Sequence, residues 1–214
     1  MALFQCDYNA KPHQKLKINS VKFAFNEFNV IGAAPASGPY NLAGSQSEVF
    51  LYDQPYSNPG YVVYLIMGLN RAYGNLYTNP SDFLKAPYDT LIPPFFNGSF
   101  AMDTVNQLLP SRVSMYIEDS ILQAFVADSV AQQHPLWQAL NLNTNYNWAP
   151  QMPMRMYYCT NDEQVDFQNS LDALQAMTAA GATQVQAISN GPLNHGGCVV
   201  PSISAAGFFF RSDF

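Results

Sequence analysis

The chain has 214 residues, of which 48% are hydrophobic and 11% charged, and a formal net charge of −6. That apolar content excludes a disordered chain, and the acidic balance argues against a nucleic-acid binder, which needs a basic face. The longest apolar runs, such as 61–69, fall far short of a membrane span.

Met1-Ala2-Leu3-Phe4-Gln5-Cys6 has neither the charged start nor the long apolar run of a signal peptide. Residues 1–27 are mixed. Lys11, Lys15, Lys17 and Lys22 make a basic cluster, expected to be a solvated face, with His13 exposed among them. Phe28-Asn29-Val30-Ile31-Gly32-Ala33-Ala34-Pro35 then reads as a strand closing in small residues, which let other backbone or a ligand approach closely. Ser37-Gly38-Pro39 turns the chain out of the sheet. The long interval from Tyr40 to Pro150 predicts helices over 61–73, 102–109 and 114–131, the last with Ile117, Ile121, Leu122, Phe125 and Val126 on one side. Phe83, Tyr88, Phe95, Phe96 and Phe100 either line an acyl pocket or, the expectation for any one of them, form this region's own core. His134, ahead of Pro135, is expected to be structural.

The segment from Met152 to Phe210 carries the chemistry. Pro153 to Cys159 is a short run of large apolar residues, as in a buried parallel strand. Thr160 to Val165 is a polar turn containing Asp162. Gln168 to Ala180 has helical spacing through Leu171, Leu174 and Met177, stopped by Gly181. Residues 183–188 alternate like a strand. Asn190 to Cys198 is a tight loop containing His195, and 202–210 is a last apolar helix. An Asp after one parallel strand and a His after the next both emerge at the carboxyl ends, where open sheets carry their sites. Together they can form the orienting half of a Ser-His-Asp triad. Either residue alone would read as a turn aspartate or a loop histidine.

Three cysteines are present. Cys159 ends the first strand and Cys198 follows the histidine by three residues, so a disulfide between them is sterically plausible if the strands are neighbours; two buried thiols are the alternative. Zinc-type spacings are absent, and no metal or organic cofactor is implied.

The pattern Asp162-x-x-Val165 followed by helix, strand and Asn194-His195-Gly196-Gly197-Cys198 resembles the end of an α/β hydrolase. With 32–40 (Gly-Ala-Ala-Pro-Ala-Ser-Gly-Pro-Tyr) and Tyr157-Tyr158-Cys159, it resembles more narrowly the secreted lipase/esterase-like hydrolases of Bacteroidetes-type bacteria. The resemblance runs from Phe28 onward. It implies an α/β fold: the carboxyl-terminal part of the hydrolase sheet, about three parallel strands with flanking helices. Residues 1–40 and 150–214 would form this partial core, and 41–149 an inserted helical cap. It implies a carboxylic-ester hydrolase in which Asp162 orients His195, acting on an ester or lipid-like small molecule. The family is largely secreted or periplasmic.

The serine of such enzymes sits on a Gly-x-Ser-x-Gly turn, and that pattern is absent: Ser37, Ser45, Ser47 and Ser99 all lack the flanking glycines. By the resemblance, the chain is expected to start just past its nucleophile, with Ser37 as a weak substitute. Residues 29–34 would then be an open strand edge seeking a second copy or a complementary fragment. A non-catalytic hydrolase-derived binding module and a serine peptidase on the same fold are the alternative readings.

Overall fold

Met154-Arg155-Met156-Tyr157-Tyr158 forms β1 (Met154–Tyr158) because large side chains of this kind pack well on a pleated surface covered on both faces. The computed structural model describes residues 30–48 and 52–212. Phe28, Asn29, His13, the 11–22 basic cluster and the amino-terminal hexapeptide lie outside the described residues. The described residues fall into two compact units: one takes the chain up to Gln46 and again from Asn143 onward, and the other is Ser47–Leu142.

In the first unit, β1 pairs in parallel with β2 (Val185–Ser189), from Met154 opposite Val185 to Tyr158 opposite Ser189. On its other side β1 takes residues 33–37 in parallel. Ala33 bridges Met154 and Ala36 bridges Tyr157. The Arg155 and Tyr157 N–H groups donate to Ala33 and Pro35 carbonyls at 3.0 and 2.9 Å, and the Ser37 N–H donates to the Tyr157 carbonyl at 2.9 Å. The predicted strand is thus present as bridges rather than a continuous ladder, and Pro35, which has no N–H, sits where the ladder thins.

Successive strand residues face opposite ways. Met154 and Met156 join Tyr40, Met152, Ala173, Met177 and Ala182 in one buried cluster, which places helix α6 (Gln168–Ala179) on that face. Arg155 points the other way and lies over the Phe209 ring at 4.3 Å, on α7 (His195–Ser212). Helices on both faces of a small parallel sheet make this a mixed α/β unit. The Gln168 N–H at the start of α6 donates to Asp166 Oδ1 at 2.7 Å, and Gly181 beyond the end of α6 has φ +98, a conformation glycine adopts without cost. The segment after the first strand is tied to α6 by buried Asn169, whose Oδ1 accepts the Asn41 N–H at 2.9 Å. Asp172 accepts the Asn41 amide at 2.7 Å and the Ser45 hydroxyl.

The second unit is helical: α1 (Pro59–Tyr73), α2 (Tyr88–Leu91), α3 (Met102–Leu108), α4 (Asp119–Ala127) and α5 (Pro135–Leu142). The predicted 114–131 helix is shorter than expected. Val113–Met115 is a separate 3-10 turn, and Ile117 is buried in a bridge to Leu84 rather than on a helix face. Phe125 and Trp137 stack at 4.0 Å and Trp137 Nε1 donates to the Phe125 carbonyl at 2.7 Å, which pins α4 to α5. Phe83 is core, stacked on Tyr77, while Phe100 is exposed and Tyr88, Phe95 and Phe96 are half-buried. His134 is structural: its N–H donates to Asp128 at 2.5 Å and its Nδ1 accepts the Leu136 N–H at 3.2 Å, in the first turn of α5. Burial lowers its pKa despite the Asp128 charge.

Candidate active site

The turn after β1 is built by Asp162 itself. Its Oδ1 accepts the N–H groups of Gln164 and Val165, both at 3.0 Å, so the side chain closes the turn that carries it. The turn after β2 comes alongside. Asn190 N–H donates to the Tyr158 carbonyl at 2.8 Å, Thr160 N–H to the Gly191 carbonyl at 3.0 Å, and the Asn161 amide to the Pro192 carbonyl at 3.2 Å. Cys159 and Cys198 are joined by a disulfide. The acid-bearing and histidine-bearing segments are therefore held together covalently and by backbone.

His195 opens helix α7, seven residues before the predicted start of that helix. The cause is Asn194, whose Oδ1 accepts the Gly197 N–H at 2.8 Å while its carbonyl accepts the Cys198 N–H at 2.9 Å. This is N-capping, and it draws the Gly196-Gly197 pair into the first helical turn. The His195 backbone N–H, an orphan donor of that turn, goes to Glu163 Oε2 at 3.0 Å.

These elements bring His195 Nδ1 to 2.9 Å from both carboxylate oxygens of Asp162. The carboxylate only accepts, so the imidazole carries its proton on Nδ1 and leaves the Nε2 lone pair as a base. The Asp162 side chain is 1% exposed and that of His195 is 22% exposed, so the acid is sealed and the ring is reachable. Ser37 is buried beside β1, with its backbone N–H on the Tyr157 carbonyl at 2.9 Å. Among the described residues, Nε2 has no hydrogen-bond partner. The Ser45 hydroxyl is committed to Asp172. Among the described residues no cluster of His, Cys, Asp or Glu could hold a metal ion, and no helix is long and apolar enough to cross a membrane. Glu163 and Asn194 were not singled out in the sequence for their own roles; only the capping residue left a signal there, an Asn directly before the helix.

Burial pushes the Asp162 carboxyl upward. The bonds from His195, Val165 and Gln164 outweigh it and hold the carboxyl below its usual range. A depressed carboxyl contributes stability that is complete above its unfolded value of about 4 and is lost as pH falls through the folded value. Denaturant melts across pH should therefore show the stability advantage over Asp162→Asn shrinking as pH drops below about 4. A pH-independent difference would contradict the bonding pattern.

No protein-family model matches the chain. An 86-residue stretch is 27% identical to the yeast protein "Altered inheritance of mitochondria protein 9, mitochondrial" from Saccharomyces cerevisiae, covering 39% of this chain and 13% of that one. Among solved structures, the chain is similar to LipA, a rice cell wall degrading esterase from Xanthomonas oryzae (TM-score 0.75, 22% identity, 90% of this chain and 53% of that one). A Legionella pneumophila protein designated a hydrolase gives TM-score 0.77 at 20% identity, over 90% and 51% of the two chains. Candida antarctica lipase A in its closed state gives 0.60 at 18% identity, over 87% and 43%. The chain thus spans about half the length of the first two and less of the third. The parallel strands, the helices on either face and these likenesses agree on one architecture, and the chain has the α/β-hydrolase fold.

Proposed function

We propose that Asp162 and His195 are the acid and base of a carboxylic-ester hydrolase. The observation that carries this is the Nδ1 contact of 2.9 Å to a sealed carboxylate, on a ring whose Nε2 is left as a base. In the full reaction a serine attacks the ester carbonyl carbon while Nε2 takes its hydroxyl proton. The tetrahedral adduct collapses, the C–O bond to the alcohol breaks, and Nε2–H protonates the departing alkoxide. Water then repeats the sequence on the acyl-enzyme, releasing the acid and returning the proton to serine. Without a serine, Nε2 can deprotonate water directly, a contribution of roughly 10²–10⁴-fold. The esterase and lipase likenesses support an ester substrate. The helical unit Ser47–Leu142 is read in the same proposal as the inserted cap. A second copy or a complementary segment is read as the partner; the exposed Val200, Ile203 and Phe208 of α7 support it, because an apolar helix face seeks cover.

The second reading, a non-catalytic module derived from a hydrolase, is favoured by the missing Gly-x-Ser-x-Gly turn. Hydrolysis of a p-nitrophenyl ester by the purified chain, with a matching amide substrate alongside, separates the readings. Turnover of the ester above solvent background, lost after fluorophosphonate treatment, is the expected result for a serine esterase. A rate equal to background would leave the module reading. Preference for the amide would point to a peptidase.

A further inference from the structure

Asp162 and Glu163 are consecutive in the turn after β1, and both reach His195. Asp162 takes the ring, with its carboxylate oxygens 2.9 Å from Nδ1. Glu163 takes the main chain, with Oε2 accepting the His195 N–H at 3.0 Å, while its Oε1 accepts the Gln164 side-chain amide at 3.4 Å. The histidine is thus held at two points by one turn, itself closed by the Gln164 and Val165 N–H groups on Asp162 Oδ1.

The start of α7 shows why the second point matters. His195 is the first residue of that helix, and Gly196 and Gly197 follow it. Glycine is the weakest helix former after proline. An added Cβ at Gly197 would meet Asn194 Oδ1 at 2.8 Å and push away the oxygen that caps the helix. The cap therefore imposes a pliable first turn on the residue that carries the base. Its own bonds go to the Gly197 and Cys198 N–H groups, so the His195 N–H needs another acceptor. Glu163 supplies it, and a negative charge also suits the amino end of a helix. An imidazole tied only at Nδ1 can swing about that bond with a loose turn behind it. A tie at the main-chain nitrogen fixes the Cα from which the ring hangs, and a misplacement of about 1 Å at such a pair can cost on the order of 10²-fold in rate. We propose that Glu163 is a positioning residue, whose carboxylate anchors the His195 main chain and keeps the imidazole seated on Asp162. The role rests on the reading of Asp162 and His195 as acid and base, and Glu163 reaches the chemistry only through His195.

The test reads the imidazole rather than turnover, so its result is separate from that of the ester assay. The Nδ1–H proton of His195 and the exchange rate of its backbone amide are followed by NMR in the wild-type chain, Glu163→Gln and Glu163→Ala. Glutamine keeps an acceptor oxygen at the same reach, and alanine removes it. In the alanine variant the amide is expected to exchange about tenfold faster, the low end for a bond to a charged group because Glu163 is exposed to water. The Nδ1–H resonance there should broaden as the ring leaves the carboxylate. Glutamine should keep that resonance sharp, with the amide within about threefold of wild type. A sharp Nδ1–H resonance in the alanine variant, whatever its amide rate, would leave Glu163 as a helix cap alone and overturn the proposal. So would a glutamine variant that loses the resonance as alanine does, which would assign the effect to charge and not to the anchor. Absence of the resonance from the wild type would remove the Asp162–His195 pair itself, and the proposal with it.

Discussion

With the serine of the proposed reaction in place, Asp162→Asn is expected to lower kcat for ester hydrolysis about 10⁴-fold with the fold intact, and His195→Ala to lower it about 10⁶-fold; for catalysis on water alone the His195→Ala loss is limited to roughly 10²–10⁴-fold. Asparagine fits the turn. Its carbonyl oxygen can take the place of Oδ1 and accept the Gln164 and Val165 N–H groups now at 3.0 Å. Those two donors set the amide's orientation, so its NH₂ falls where Oδ2 was, against His195 Nδ1 at 2.9 Å. A donor facing Nδ1 drives the ring proton to Nε2. The base is then lost at the atom that needs it, and the negative charge that stabilises the imidazolium is lost with it. Alanine at 195 removes the proton carrier altogether, leaving only the rate that binding and any oxyanion donors supply. Steady-state kinetics on p-nitrophenyl esters, with circular dichroism melts to confirm folding, checks both. A folded Asp162→Asn variant within tenfold of wild type would show that this pair is not the catalytic acid and base.

The parts legible in the sequence were those set by local pattern. Met154–Tyr158 and Gln168–Ala179 read correctly because a buried parallel strand and an amphipathic helix announce themselves in side-chain periodicity. The separation of Asp162 and His195 by one strand–helix–strand unit could be read in the same way. The parts that were missed depend on contacts distant in sequence or on a capping residue. His195 was read in a loop; the two glycines after it disfavour a helix, yet Asn194 caps it and Glu163, far back in the chain, satisfies its first N–H. Ile117 kept to the apolar side of a predicted helix until its bridge to Leu84 placed it off any helix. Residues 28–35 read as a full strand, whereas Pro35 leaves the described part with bridges only.

Replacing both Cys159 and Cys198 by alanine is expected to cost about 4 kcal/mol of stability, from the loop-entropy relation applied to their separation of 39 residues. Against a typical total of about 5–15 kcal/mol that is a large share, and for a chain of this size it corresponds to a fall in Tm of roughly 8–16 °C. The closed loop contains Asp162, α6, β2 and His195, so the crosslink narrows the unfolded ensemble of the very segments that make the pair. Turnover of the folded variant should fall much less than stability does. The Asn190–Tyr158, Thr160–Gly191 and Asn161–Pro192 hydrogen bonds still hold the two turns together, and Glu163 still holds the start of α7. Cys159 and Cys198 are both buried, 0% and 2% exposed, so a mild reductant should act on the native chain only as fast as it opens. Urea denaturation of the double variant, and of the wild type with and without prior reduction in denaturant, measures the loss. An unshifted midpoint in the double variant would mean that the crosslink adds nothing to what hydrogen bonds and burial already fix. A large loss of turnover with an unshifted midpoint would assign the disulfide to the geometry of the site rather than to the stability of the fold.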